Sequence, residues 1–280
     1  MTPQHRAAVL GSPIAHSLSP VLHRAGYAAL GLDSTWSYDR FEVDEEGLPG
    51  FVAGTFAEPG WAGLSLTMPL KRAIMPLLDE ISATAVSVDA VNTVVRGADG
   101  CLRGDNTDVP GLVNALRERG IGQVEAASVL GAGATASSAV AALAQICSGE
   151  VTVYVRSPER AAEMRALGEK LGLAVQAAPW ERGAEALTAP LTISTTPAGA
   201  TDAFAAGVPD APGALFDVLY HPWPTALVAA CAERGATVLG GLDLLVHQAV
   251  LQFEQFTGRS EGVLGAMRRA GEAALQAHRT

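Results

Sequence analysis

Cysteine is scarce and scattered. Cys101, Cys147 and Cys231 are the three in 280 residues, and none forms a CxxC pair. That spacing excludes a disulfide framework and a dithiol redox motif, and it reads as small buried hydrophobes in a reducing cytosol. The six histidines make no HxxxH and no His/Cys cluster, so no metal site is expected. No apolar run is long enough to cross a bilayer, which excludes a membrane-spanning reading. The most apolar stretch, 134–146, is broken by Thr135, Ser137, Ser138 and Gln145 and reads as a buried helix. The N-terminus, Met1-Thr2-Pro3-Gln4-His5-Arg6, enters an apolar strand at Ala7 with no leader pattern before it, so a cytoplasmic location is expected. Basic charge is in short supply: 19 Lys and Arg stand against 29 Asp and Glu, a net charge of −10. A surface of that sign repels phosphodiester backbones and argues against nucleic-acid partners. It leaves room for an anionic small molecule, because a few local cations dominate within a cleft.

What is present is apolar residue in alternating blocks. Hydrophobic residues make up 49% and charged residues 17%, enough to build a large core. The spacing predicts strands over 6–11, 34–43 and 61–67, and helices over 20–30 and 45–56, with a further helix opening at Pro69 and running through Leu78. Residues 90–96 and 101–106 read as a hairpin across Gly97-Ala98-Asp99-Gly100. After a helix over 109–119 come strands at 128–130, 151–155, 174–177, 191–194, 215–219 and 237–240, separated by helical segments. That alternation implies a parallel, doubly wound sheet. Two helices, 242–255 and 261–276, close the chain. The fold class is α/β in two regions, an N-terminal α/β region over 1–107 and a Rossmann-type dinucleotide-binding domain over 108–242, with the two final helices left over after 242.

The segment Gly131-Ala132-Gly133-Ala134-Thr135-Ala136 fits G-x-G-x-x-A, following a predicted strand and opening a predicted helix. The first glycine permits the tight turn, the second admits a pyrophosphate, and Ala136 lets helix approach strand. The helix N-terminus offers free N–H groups to phosphate. The bland alternative is a packing turn. At the end of the next strand an NAD site usually carries a carboxylate, whereas this chain has Arg156, Ser157 and Arg160. Guanidinium and hydroxyl suit the 2′-phosphate of NADP; two solvated arginines at a helix start are the alternative.

Polar residues also gather at predicted loops of the first region. Ser17 and Ser19 precede a helix and could simply cap it. Lys71 is placed in the first turn of a helix beside Arg72, where dipole and neighbour both favour the neutral amine, a state suited to proton exchange. Asn92 and Gly104-Asp105-Asn106-Thr107-Asp108 add amide and carboxylate groups, each of which turn chemistry could also explain.

Together, Ser17-Leu18-Ser19, Leu66–Lys71, Ala90-Val91-Asn92-Thr93, Gly104–Asp108, Gly131–Ala136, Ile193–Pro197, Asp217-Val218-Leu219-Tyr220 and Gly241–Gln248 resemble the shikimate dehydrogenase family in order and spacing over nearly the whole chain. The resemblance implies a two-domain enzyme whose C-terminal helices return to the first domain, so that 1–107 plus 243–280 binds substrate and 108–242 binds the cofactor. It implies reversible NADPH-dependent reduction of 3-dehydroshikimate to shikimate on the route to aromatic amino acids. Lys71 and Asp108 would form the catalytic pair. Ser17, Ser19 and Tyr220 would hold the substrate carboxylate; Thr67, Asn92, Asp108 and Gln248 would read ring hydroxyls. Gly131–Ala136, Arg156, Ser157, Arg160, Thr195 and Gly241 would bind the cofactor, with a homodimer as an assembly compatible with the family.

Three positions depart from the family pattern. Ser65 replaces an asparagine and is expected to alter a substrate contact. Val155 replaces the asparagine of the clasp around the adenosine phosphate. Asp243 replaces a glycine found in some members and is expected to weaken cofactor affinity. The competing readings are an NAD-using quinate/shikimate dehydrogenase and a non-catalytic binding protein with the same fold.

Overall fold

The computed structural model describes residues 4–277; the Met1–Pro3 part of the leader expectation lies outside them. The chain divides into two compact units, Met1–Thr107 with Leu245–Thr280, and Asp108–Leu244.

The first unit opens with strand β1 (His5–Gly11), helix α1 (Ser19–Ala29), β2 (Trp36–Glu42), α2 (Leu48–Ala57) and β3 (Trp61–Leu66). Then come α3 (Leu70–Ala73), β4 (Glu80–Ile81), α4 (Ala83–Val88), β5 (Thr93–Arg96) and β6 (Leu102–Asp105). The six strands form a mixed sheet ordered β2-β1-β3-β5-β6-β4. β1 runs parallel to β2 and β3, while β5 is antiparallel to both β3 and β6. Leu10, Leu48, Leu64, Leu70, Ile74 and Val94 form a dry core on one side of this sheet.

The helix expected from Pro69 through Leu78 is a single α-turn, followed by a 3-10 turn over Met75–Leu77. Pro76 is the reason: it has no N–H to donate, and its ring clashes with a helical carbonyl four residues back. The chain tightens instead, with Leu77 N–H donating to Ile74 O at 2.9 Å. Strand β4 and helix α4 were not anticipated. A two-residue strand has no readable period, although Ser82 caps α4 by accepting a hydrogen bond from Ala85 N–H at 3.1 Å.

The second unit contains α5 (Asp108–Glu118), β7 (Ala127–Leu130), α6 (Ala134–Leu143), β8 (Val151–Val155), α7 (Pro158–Leu171), β9 (Val175–Pro179), β10 (Leu191–Ser194), β11 (Ala214–Asp217), α8 (Ala226–Glu233) and β12 (Val238–Leu239). Its sheet runs β12-β11-β10-β7-β8-β9 with every pairing parallel. This is the Rossmann order, three strands wound to each side of a central seam between β7 and β10. The connections out of β9 and β10 are 3-10 turns, Trp180–Thr188 and Asp202–Gly207, rather than α-helices. The last two helices are α9 (Gly241–Thr257) and α10 (Val263–Ala277). Met267 of α10 and Phe253 of α9 crowd α1 so closely that a Cβ on Gly26 would lie 2.7 and 2.8 Å from them.

Candidate active site

In the first unit, strand direction gathers the candidate residues. β1 and β3 are parallel and end at Gly11 and Leu66. β5 is antiparallel to β3, with Thr93 opposite Ser65, and β6 returns with Asp105 opposite Thr93. One end of the sheet therefore emits Ser12–Ser19, Thr67–Lys71, Asn92 and Asn106–Thr107. Backbone bonds tie these exits together: Ser12 N–H donates to Met68 O at 3.0 Å, and Val91 N–H to Lys71 O at 2.8 Å. Asn92 is the hub. Its Oδ1 accepts from Thr107 N–H and from Thr93 Oγ1, both at 2.8 Å, and its Nδ2 donates to Thr107 Oγ1 at 3.0 Å. Gln248 lies 3.5 Å from the Thr107 hydroxyl. Asp108 follows Thr107 directly and is buried at the start of α5.

Two expectations for this region change. Lys71 sits on a helix of one turn, too short to sum a dipole, and the neighbouring Arg72 is paired with Asp89 at 3.0 Å. The role of Lys71 rests on where it emerges. Ser65 is buried and occupied internally: it donates to Gln252 Oε1 at 2.8 Å and accepts from the Tyr38 hydroxyl at 2.7 Å. Its one proton is spent inside the protein, so the asparagine-to-serine change is a packing change. Ser17 and Ser19 do stand at the α1 start, and the Ser17 hydroxyl accepts from Ser19 N–H at 3.3 Å.

Sequence reasoning missed Gln252 and Gln255. With Gln248 they recur at i, i+4 and i+7, an amide stripe along α9. Gln252 Nε2 donates to Asn92 O and to Thr93 Oγ1, each at 3.0 Å. Gln255 Nε2 donates to Asp105 Oδ2 at 2.6 Å, while Asp105 Oδ1 accepts from the Ser82 hydroxyl at 2.6 Å. Asp105 is thereby a tie between elements. The amide stripe was the available signal.

In the second unit, all strands point one way, so Gly131, Arg156, Thr195 and Val218 follow the carboxyl ends of β7, β8, β10 and β11. The seam between β7 and β10 is the topological switch point, where such sheets bind ligands. Gly131 turns with φ +112°, and a Cβ there would lie 2.7 Å from Thr195 Oγ1. Thr195 locks the seam, its N–H and hydroxyl both donating to Leu130 O. Gly133, at the N-cap of α6, makes no side-chain cap, and a Cβ there would meet nothing within 4 Å. That open approach to uncapped N–H groups of Ala134, Thr135 and Ala136 fits a pyrophosphate. Ala132 is half-buried beside it, and Ala136 is fully buried against the sheet.

Arg156 is exposed at the β8 end. Ser157 caps α7 by accepting from Arg160 N–H at 3.2 Å, and the Arg160 guanidinium pairs with Glu163 at 2.6 Å. Such an exposed pair is worth about 0–1 kcal/mol, less than a charge-assisted bond to a phosphate dianion at about 1.5–3 kcal/mol. Gly241 has a structural reason of its own: a Cβ would run into Val218 O, and its N–H donates to Leu219 O at 2.9 Å. Asp217, fully buried, holds the same loop by accepting from Leu219 N–H at 3.2 Å and the Thr225 hydroxyl at 3.0 Å, although burial pushes its carboxyl up. Burial likewise pushes the Tyr220 phenol up, keeping it a hydrogen-bond donor. Asp243 does not stand as a bare carboxylate: it accepts from Gly240 N–H at 3.0 Å and pairs with Arg119 at 3.5 Å. The charge expected to repel a cofactor is compensated within the unit. No group of three or more His, Cys, Asp or Glu able to hold a metal occurs among the described residues.

The class these features define is a dinucleotide-binding α/β protein with a second, polar-ended sheet. Residues 9–94 match the family model described as shikimate dehydrogenase substrate binding domain, and residues 241–270 match shikimate 5'-dehydrogenase C-terminal domain. Over 272 residues the chain is 39% identical to the shikimate dehydrogenase (NADP(+)) of Thermus thermophilus, covering 95% of this chain and 98% of that one. Its structure resembles Mycobacterium tuberculosis shikimate dehydrogenase with a TM-score of 0.87 and 41% identity, over 96% of this chain and 99% of that one. It also resembles the Thermus thermophilus shikimate 5-dehydrogenase solved in complex with NADP(H) and shikimate, with a TM-score of 0.83 and 36% identity over 96% and 99% of the two chains. The chain belongs to the shikimate dehydrogenase family.

Proposed function

We propose that the chain is an NADP-dependent shikimate dehydrogenase, reducing 3-dehydroshikimate to shikimate reversibly in the biosynthesis of chorismate and the aromatic amino acids. The observation that carries this reading is the gathering, at one end of the first sheet, of Ser17, Ser19, Thr67, Lys71, Asn92 and Thr107, the residue before Asp108. The domain roles follow: 1–107 with 243–280 binds substrate, and 108–242 binds NADP.

NADP, when bound, supplies or accepts the hydride. The Gly131–Ala136 turn and the α6 N-terminus hold its pyrophosphate, Arg156 with Ser157 and Arg160 holds the 2′-phosphate, and Thr195 and Gly241 shape the backbone it lies against. Lys71, as its ammonium, supplies a proton to the carbonyl oxygen that becomes the new hydroxyl, and Asp108 orients that ammonium. Charge developing on the oxygen is what the ammonium stabilises. Ser17, Ser19 and Tyr220 donate hydrogen bonds to the substrate carboxylate. Thr67, Asn92 and Gln248 read ring hydroxyls.

Net charge −10 leaves phosphodiester partners unfavoured, and among the described residues no helix is long and apolar enough to cross a membrane. Our reading is a cytosolic enzyme acting on a small molecule without nucleic-acid or membrane partners; a homodimer is the assembly that light scattering would test. The decisive assay follows nicotinamide absorbance with shikimate or quinate against NADP or NAD. Shikimate with NADP is expected to give the highest kcat/KM. Equal efficiency with NAD would remove the cofactor assignment, and no turnover despite shikimate binding would turn the reading to a binding protein.

A further inference from the structure

We infer that Gln252 is a positioning residue for the shikimate site, acting by fixing which way the Asn92 carboxamide faces; this rests on the function proposed above. The argument comes from hydrogen-bond polarity. A main-chain carbonyl only accepts, so the Gln252 atom 3.0 Å from Asn92 O is the amide nitrogen. Its other proton goes to Thr93 Oγ1 at 3.0 Å. Thr93 then has an occupied lone pair and one proton to give, and Asn92 Oδ1 lies 2.8 Å away. Thr107 N–H, which only donates, reaches the same oxygen at 2.8 Å. The oxygen of Asn92 is thus held from both sides, and the direction its NH2 presents is set by Gln252 on one side and Thr107 on the other. At its far end Gln252 is fixed as well. Its Oε1 takes the Ser65 proton at 2.8 Å, and the Ser65 oxygen accepts from Tyr38 at 2.7 Å.

Tyr38, Ser65, Thr93, Asn92, Thr107 and Gln252 are all buried, and Gln252 is only 2% exposed. In that environment each bond is strong and a reversed one leaves an unsatisfied group, so the relay has one stable sense. A tie that only joined α9 to the sheet would need one of these bonds. Gln252 makes three, to Ser65 in β3, to the backbone oxygen of Asn92 and to Thr93 at the start of β5.

The test is steady-state kinetics of Gln252→Met, which keeps the volume and removes every bond. The shikimate KM is expected to rise ~10-fold, the scale of one lost buried hydrogen bond, with the NADP KM within about twofold because every member of the relay belongs to the first unit. In an Asn92→Ala background the same substitution should change the shikimate KM by less than about twofold, since no carboxamide is left to orient. A wild-type shikimate KM in Gln252→Met, or an undiminished effect in the Asn92→Ala background, overturns the proposal. Should Gln252→Met fail to fold, Thr93→Val interrupts the relay at its next member and carries the same expectations. Wild-type enzyme inert toward shikimate would instead sink the function reading, a result separable from an active wild type with an insensitive variant.

Discussion

The two units hold their functional groups by opposite means. In the second, the candidate cofactor site is backbone: a glycine with φ +112°, uncapped N–H groups at α6 and a seam closed by Thr195 on Leu130 O. In the first, the candidate substrate site is side chain: a buried chain of amides and hydroxyls from Tyr38 to Gln248. A diphosphate presents dispersed charge that many N–H groups can satisfy, so backbone geometry suffices. A ring with several hydroxyls must be told from its isomers, which needs donors and acceptors of fixed sense.

The largest effect that would sharpen this contrast is chemical. Lys71→Ala should lower kcat by about 10²–10⁴, the loss expected for a general acid, with little change in either KM. Retained kcat would take Lys71 out of the reaction and leave the side-chain site as a binding surface alone.

Next is Gly131→Ala. A non-glycine residue at φ +112° costs about 1–3 kcal/mol in strain, and the added Cβ pushes against the Thr195 hydroxyl. The NADP KM should rise ~10-fold or more while the shikimate KM holds. A parallel rise in both would mean that the two sites do not divide as backbone and side chain.

Arg156→Gln acts on the one side chain the backbone site leans on. Removing a charge-assisted bond worth about 1.5–3 kcal/mol should cut kcat/KM with NADP ~10-fold and leave NAD nearly untouched. Equal losses with both cofactors would show that Arg156 does not face the 2′-phosphate.

The same contrast explains what was legible in the chain. The glycine turn is six consecutive residues whose geometry depends on its own strand and helix, so G-x-G-x-x-A was readable locally, as were the strands 151–155 and 191–194, which the structure repeats residue for residue. The amide relay was not readable. Ser65 and Gln252 are 187 positions apart, and nothing local marks a serine as spent inside the core or Asp105 as a tie to Gln255. Short elements escaped for a related reason. β4 has two residues and α4 six, too few for a period of 2 or 3.6 to repeat legibly. Apolar spacing continues past Pro76 and predicts a longer α3, but the proline ends the helix before it.

The smallest effect concerns a residue behind the substrate site rather than in it. His23 is fully buried and stacked on Tyr38 with ring centroids 3.9 Å apart; neither ring nitrogen makes a hydrogen bond of good geometry among the described residues, although the Gln252 side chain faces the ring and favours its protonated form, less strongly than burial opposes it. Burial pushes its imidazole down to about 3. The unfolded chain titrates near 6.5, so below that pH it binds a proton that the folded chain refuses. Stability therefore falls as pH drops from about 6.5 toward about 3, by roughly 1.4 kcal/mol per pH unit in that window, and the term vanishes above it. Between pH 7.5 and 5 the loss from this group should be roughly 2 kcal/mol. His23→Leu removes the titrating ring and two unsatisfied nitrogens at once. Its urea midpoints at the two pH values should lie closer together than those of the wild type, with both KM values at pH 7.5 unchanged. An unaltered pH slope in His23→Leu would place the acid sensitivity elsewhere. A raised shikimate KM would instead mean that His23 reaches the relay, through its stack on Tyr38 or through Gln252, and that the polar site depends on its backing as well as on its own bonds.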